Sequence, residues 1–202
     1  LKNQQENRLL QDLRANNEEE LAKEELQNNI FMGTAYGHTI IGTLSGIEKI
    51  TIEDIKTFAL KHYSLKNLHL GFAGDFSKEI ITEINIQLNK LPLGKKIQQP
   101  KVTGRKIKGL EVQIIEKDTR ATSISIGHPI SVTRSHPDFF ALWLARAWLG
   151  EHRSSTGRLF QQIRELRGLN YGDYAYIEAF PHAMYQFFPN PNLGRRNQIF
   201  EI

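Results

Sequence analysis

The chain of 202 residues contains no cysteine. That excludes a disulfide framework, a thiolate metal site and a cysteine nucleophile together. No run of about 18 uncharged apolar residues is present, so no stretch reads as a membrane-spanning helix. The opening "LKNQQENRLL" is polar and helix-like, without the basic start and apolar stretch of a signal peptide. It has no initiating methionine, and "RRNQIFEI" stops within what reads as a strand. The chain is therefore expected to be a piece of a longer protein. The seven histidines are His38, His62, His69, His128, His136, His152 and His182. No two are three to five residues apart, the spacing that puts two imidazoles on one helix face. "WLGEH", Trp148 to His152, has the outline of an H-x-x-E-H zinc motif with tryptophan at the first ligand position. An indole has no lone pair for a metal, so the match is coincidental. No G-x-S-x-G elbow occurs, and "GTLSG" lacks the Gly-Lys-Ser/Thr ending of a phosphate loop.

What is present fits one large domain or two small ones, with 40% apolar and 24% charged residues. The net charge of +4 is concentrated. Lys90, Lys95, Lys96, Lys101, Arg105, Lys106 and Lys108 fall in one stretch without an acidic residue. Such a run can bind polyanions. This one carries Pro92, Gly94, Pro100 and Gly104 and no aromatic residue for base stacking. It reads as a solvated linker over 91–109, and nucleic acid is not expected as a partner.

The elements follow from periodicity. Leu9, Leu10 and Leu13 give one side of a first helix. Asn17 followed by Glu20 is a capping-box spacing for a second, which runs to about Phe31. Thr51 with Asp54 caps a third, whose face holds Ile52, Ile55, Phe58, Ala59 and His62. His62 reads as a dipole partner or packed residue at that helix end, not a ligand. Leu68, Leu70 and Phe72 alternate as in a strand. Ser77 opens a helix striped by Ile80, Ile81, Ile84 and Leu88. "LEVQIIEK" and "ATSISIG" read as strands joined by a turn at Asp118 and Thr119. "PDFFALWLARAWLG" is apolar nearly all round and reads as a buried helix. A further strand is expected at "AMYQFF", after a turn at Pro181 and His182. Strands in hairpins, without regular βαβ alternation, predict α+β architecture with mixed or antiparallel sheets packed by helices.

The stretch "GRLFQQIRELRGLNYGDYAY", Gly157 to Tyr176, carries the densest chemistry. Leu159, Phe160, Ile163 and Leu166 predict one helical face, with Arg164 on its flank. Gly168 is the expected stop. Tyr171, Tyr174 and Tyr176 follow, the last two on one strand face. A guanidinium fork and a phenol can together stabilise charge developing on a carbonyl oxygen. The same pattern describes an ordinary packed helix–strand corner with surface tyrosines, and pattern alone favours that. Ser154 and Ser155 read as helix caps rather than nucleophiles.

Three stretches together resemble the pitrilysin/insulinase family of zinc metallopeptidases, the group that includes mitochondrial-processing-peptidase-like proteins. "SSTGRLFQQIRELRGLNYGDYAY" is similar to its second-domain signature, S-R-L-F-Q-x-I-R-E-x-R-G-L-x-Y. "AYGHTIIGTLSGIEKITIEDIKTFALKHYSLKNLHLGFAGDF" resembles its H-P-Y-G-H turn, G-T loop, helix ending H-Y and strand ending A-G-D. "PKVTGRKIKGLEVQIIEKDTRATSISIG" resembles the interdomain connection and the next domain's first hairpin. The resemblance implies repeated α+β domains that enclose an unfolded peptide like a clam shell. Residues 1–90 would end a first domain, 91–109 would link, and 110–202 would begin a second, non-zinc domain. It implies that Arg164 and Tyr171, seven residues apart, engage the substrate carbonyl, and that the chain itself supplies no catalytic residue. Zinc is implied for the parent protein, on H-x-x-E-H upstream plus a more distant glutamate. That glutamate falls near Leu10, where only Glu6 and Asp12 are acidic, so no metal ligand is assigned here. The implied partners are a peptide or unfolded polypeptide and a homologous domain or subunit completing the chamber. The alternative is a non-catalytic subunit that binds peptide or supports an active partner. Family habit points to a bacterial periplasm or cell envelope.

Overall fold

The computed structural model describes residues 1–179 and 194–202, with the side chains of Asp12 and Leu13 outside that description. The strand expected at "AMYQFF" and the turn at Pro181 and His182 lie outside the described residues. Two compact units divide the chain, Leu1–Thr43 with Lys101–Ile202, and Leu44–Pro100.

In the larger unit, α1 (Lys2–Asn7) continues into a wider, π-type stretch, Arg8–Ala15. The Asn17 side chain accepts the Glu20 N–H at 3.0 Å and opens α2 (Glu18–Ile30), satisfying one orphan donor of the first turn. The end of α2 anchors a small apolar core of Ile30, Phe31, Val102 and Ile199, with Leu26, Tyr36 and Ile107 packed on it. Val102 belongs to the basic stretch, which is thus tied down at this end. The Arg105 backbone N–H donates to the Ile30 carbonyl at 2.8 Å, and its side chain pairs with Glu111 and with Asn29.

The smaller unit holds α3 (Leu44–Lys49), α4 (Ile52–His62), a 3-10 turn at Leu65–Asn67 and α5 (Lys78–Leu88). Thr51 caps α4 reciprocally. Its hydroxyl accepts the Asp54 N–H at 3.2 Å, and the Asp54 carboxylate accepts the Thr51 N–H at 2.8 Å. Ile52, Ile55 and Phe58 keep their predicted spacing, but the structure leaves all three exposed. His62 stacks on Phe58 with ring centroids 4.2 Å apart, the packed role expected of it. The start of the basic stretch is bound here. The Leu65 and Lys66 N–H groups donate to the carbonyls of Pro92 and Leu93. Asn67 holds the Lys95 carbonyl and the Ile97 N–H. Gly94 has φ +65°, and a Cβ there would lie 2.2 Å from Ser64 Oγ, so only glycine suits the position.

Among the described residues, one antiparallel pair forms the sheet of this α+β fold: β1 (Gly127–Ile130) against β2 (Gln198–Glu201), with Gly127 opposite Glu201. On the other side of β2, Tyr176 and Glu201 exchange backbone hydrogen bonds of 2.8 and 3.0 Å. The hairpin predicted over 110–127 differs. Its two arms do not pair with each other among the described residues; only the end of the second arm joins the sheet, with Ile126 exchanging bonds with Ile202 and Gly127 opening β1. Leu110, Val112, Ile114 and Ile124 remain exposed. Alternation marks a strand face, but pairing also needs a neighbour that covers that face.

The apolar helix α6 (Phe139–Gly150) is not buried all round, as its composition predicted. Phe139, Arg146 and Gly150 form the buried stripe, while Phe140, Leu144 and Trp148, spaced by four, are exposed. Arg146 is tolerated inside because Nη2 donates to Glu151 at 2.8 Å and the guanidinium lies over the Trp143 ring. The next helix approaches closely. A Cβ on Gly157 would sit 2.9 Å from the Gly150 Cα and 3.2 Å from the Leu149 carbonyl oxygen. These are backbone atoms and cannot swing aside. Gly157→Ala is expected to lower stability by about 1–2 kcal/mol through overpacking, read as a lower urea midpoint at unchanged m-value. An unchanged midpoint would show that the two backbones separate at no cost.

Candidate functional site

The segment after Gly157 forms a π-type helix, Phe160–Glu165. Ser154 does not cap it. Its hydroxyl instead accepts the Thr156 N–H within a turn. The helix is wide because the Leu166 N–H reaches back five residues to Gln161, at 3.1 Å. Widening shifts the predicted face, and Leu166 is left exposed. Gly168 then adopts φ +61°, its N–H donating to the Arg164 carbonyl at 2.8 Å, and Leu169 closes onto Ile163. This is a left-handed glycine stop of the predicted kind, stretched by one residue. Asn170 bonds Gly172 and Asp173 and braces the turn that carries Tyr171.

The turn folds the chain back, so that residues seven apart in sequence meet. The Arg164 guanidinium carbon lies 3.8 Å from the Tyr171 ring centroid and 4.7 Å from that of Phe160. Tyr171 is 78% exposed and Arg164 half-buried. Among the described residues no oxygen accepts a hydrogen bond from the Arg164 side chain, whereas Arg105, Arg134, Arg146 and Arg195 all donate to protein oxygens. A cation held against rings keeps its in-plane N–H donors for a ligand. Tyr174 and Tyr176 do not join this pair. They turn inward to His152, whose Nδ1 is 3.0 Å from the Tyr176 hydroxyl and whose ring lies 4.7 Å from that of Tyr174.

Behind the tyrosines lies a buried polar layer. Lys23 is buried, 3.4 Å from Glu20 and 3.8 Å from Glu19, with its ammonium over the Tyr176 ring. Glu201 is fully enclosed. One carboxylate oxygen accepts from Gln27 at 3.3 Å, and the other has no hydrogen-bond partner among the described residues. Burial pushes Glu201 up to about 7, and pushes Glu24 to about 7 with help from Glu20 and Glu25. Burial lowers His152 to about 4, aided by the charges of Arg153 and Lys23, and raises both Tyr174 and Tyr176. A small cavity opens beside this layer, about 40 Å³, with Glu20, Glu24, Tyr36, His38 and Arg195 in its wall. None of this layer was legible in the sequence. "EEELAKEEL" looks like a solvated helix start, and nothing local marks Glu20 or Lys23 as buried.

Among the described residues, no three His, Cys, Asp or Glu side chains are placed to hold a metal ion, so this part of the chain does not fit a zinc centre.

The family profile of the peptidase M16 inactive domain matches residues 49–188. The chain belongs to that family. Relatives agree. An uncharacterized zinc protease of Streptomyces coelicolor is 26% identical, over 76% of this chain and 34% of its own length. The non-peptidase homolog YmxG of Helicobacter pylori is 29% identical, over 76% of this chain and 35% of its own. The crystal structure of a peptidase M16 inactive domain from Pseudomonas fluorescens shares the fold. It has a TM-score of 0.65 and 24% identity, covering 99% of this chain and 44% of that one. The resemblance to insulinase-like zinc peptidases is met, and zinc protease names recur in the family. This M16 domain spans about a third of the length of the curated relatives it matches. No helix among its described residues is long and apolar enough to cross a membrane.

Proposed function

We propose that this M16 domain holds an extended peptide through Arg164 and Tyr171, for hydrolysis at a zinc centre in a part of the parent protein outside this chain. The observation that supports it best is the stacked Arg164, whose guanidinium meets aromatic rings and whose donors meet no protein acceptor among the described residues. A peptide carbonyl placed at the guanidinium edge would accept from Arg164 and from the Tyr171 hydroxyl. Both donors favour negative charge on that oxygen. A homologous domain or subunit would close the chamber around the peptide.

A second reading has its own support. YmxG is named a non-peptidase homolog, and the matching family is described as an inactive domain. In that reading the same pair binds peptide without turnover. The test uses the full-length protein with a quenched fluorescent unfolded polypeptide. Cleavage that a chelator abolishes and zinc restores is the expected result of the peptidase reading. Saturable binding without cleavage selects the second. No binding at all overturns both.

A further inference from the structure

We propose that Phe160 is a positioning residue for the Arg164 guanidinium, an inference that rests on the peptide-binding role of Arg164. Phe160 and Arg164 are one π-type turn apart, on the same side of the helix, with the guanidinium carbon 4.7 Å from the Phe160 ring centroid. Tyr171 meets the same cation from beyond the Gly168 turn, at 3.8 Å. A long arginine side chain loses rotamer freedom when it orders, and binding bears that cost unless the free protein has already ordered it. Arg134 and Arg105 are ordered through their donors: Arg134 donates twice to Glu178, and Arg105 donates to Glu111. Arg164 is ordered through its π face instead. The difference is chemical. Ring contacts leave the five N–H groups available, and Phe160, unlike a carboxylate, neither neutralises the charge nor competes for the donors. Phe160 itself offers no group to a substrate; it acts through Arg164.

The experiment measures the affinity of a fluorescein-labelled unfolded peptide for the full-length protein in a double-mutant cycle. Phe160→Leu keeps apolar volume and removes the π face. It is expected to weaken binding roughly three- to tenfold, while Phe160→Tyr, which keeps the ring, stays near wild type. Added to Arg164→Ala, Phe160→Leu is expected to cause no further loss, because its effect passes through the missing cation. Phe160→Met serves the same purpose should the leucine variant fail to fold. An equal further loss in the Arg164→Ala background would show that Phe160 merely packs the helix, and would overturn the inference. Wild-type affinity in Phe160→Leu, with a clear loss in Arg164→Ala, would overturn this inference alone. Wild-type affinity in Arg164→Ala would overturn it together with the reading it rests on.

Discussion

Arg164→Ala in the full-length protein is expected to lower kcat/KM on an unfolded peptide by at least about tenfold, in line with losing one preorganised donor at a developing oxyanion. Where the protein does not hydrolyse peptide, the same change should weaken peptide affinity about tenfold. The thermal midpoint should hardly move, because the guanidinium is half-exposed and holds no hydrogen bond to the described protein. The loss should fall with salt only weakly, since a fork onto a neutral carbonyl is directional rather than a long-range charge effect. Arg164→Lys retains the charge and loses the planar fork, so it should recover little of the activity. Tyr171→Phe retains the stacked ring and loses one hydroxyl donor, so its defect should be the smaller. Unchanged turnover and unchanged binding in a folded Arg164→Ala protein would remove the basis for a substrate role at this turn.

Glu201→Gln should stabilise the protein at alkaline pH and do almost nothing near pH 4.5. The Glu201 carboxyl is raised from 4.5 to about 7 by burial. The folded state therefore keeps its proton over a range where the unfolded chain has lost it. Stability from this group is full below about pH 4.5 and is lost as pH rises through about 7. Above that range the buried charge costs up to about 3 kcal/mol. Glutamine preserves the acceptor for Gln27 and removes the charge, and Lys23 keeps Glu19 and Glu20 as partners. The expected gain is several degrees in thermal midpoint at pH 8.5. His152 runs the other way: its value is depressed to about 4, so its contribution is present above pH 6.5 and is lost as pH falls through 4. Glu24, also raised to about 7, keeps part of the alkaline loss in the variant. A midpoint difference that is the same at pH 5 and pH 8.5 would show that Glu201 carries no buried charge.

Local chemistry was largely readable before the fold. Asn17 and Thr51 cap where their spacing to Glu20 and Asp54 said they would, since a cap is decided within four residues. Gly168 stops its helix because a left-handed turn suits glycine wherever it occurs. The motif singled out Arg164 and Tyr171 as substrate-engaging residues, whereas their stacking on one another, brought about by the turn at Gly168, was not legible in it. The width of that helix was not readable, because an α-helix and a π-type turn share the same apolar spacing over so short a stretch. Nor was the fate of apolar faces. α6 looked buried all round and is buried along one stripe, and the arms over 110–127 alternate like strands yet do not pair with each other among the described residues. Periodicity tells which side chains share a face, while burial depends on what lies opposite.

The sequence by itself determined the caps at Asn17 and Thr51, the glycine stop at Gly168, the absence of thiol chemistry and the family, all of which depend on residue type and short spacing. Tertiary structure alone decided that Glu201, from the last strand, lies enclosed beside Lys23 and Gln27 of α2, and that Tyr176 and His152 close the same layer. Those residues are more than a hundred positions apart in places, and desolvation is a property of everything packed around a group. No local pattern could announce it. The physical character of the site follows from both: a short-range turn assembles the exposed cation and rings, and long-range packing sets the buried charges behind the neighbouring tyrosines.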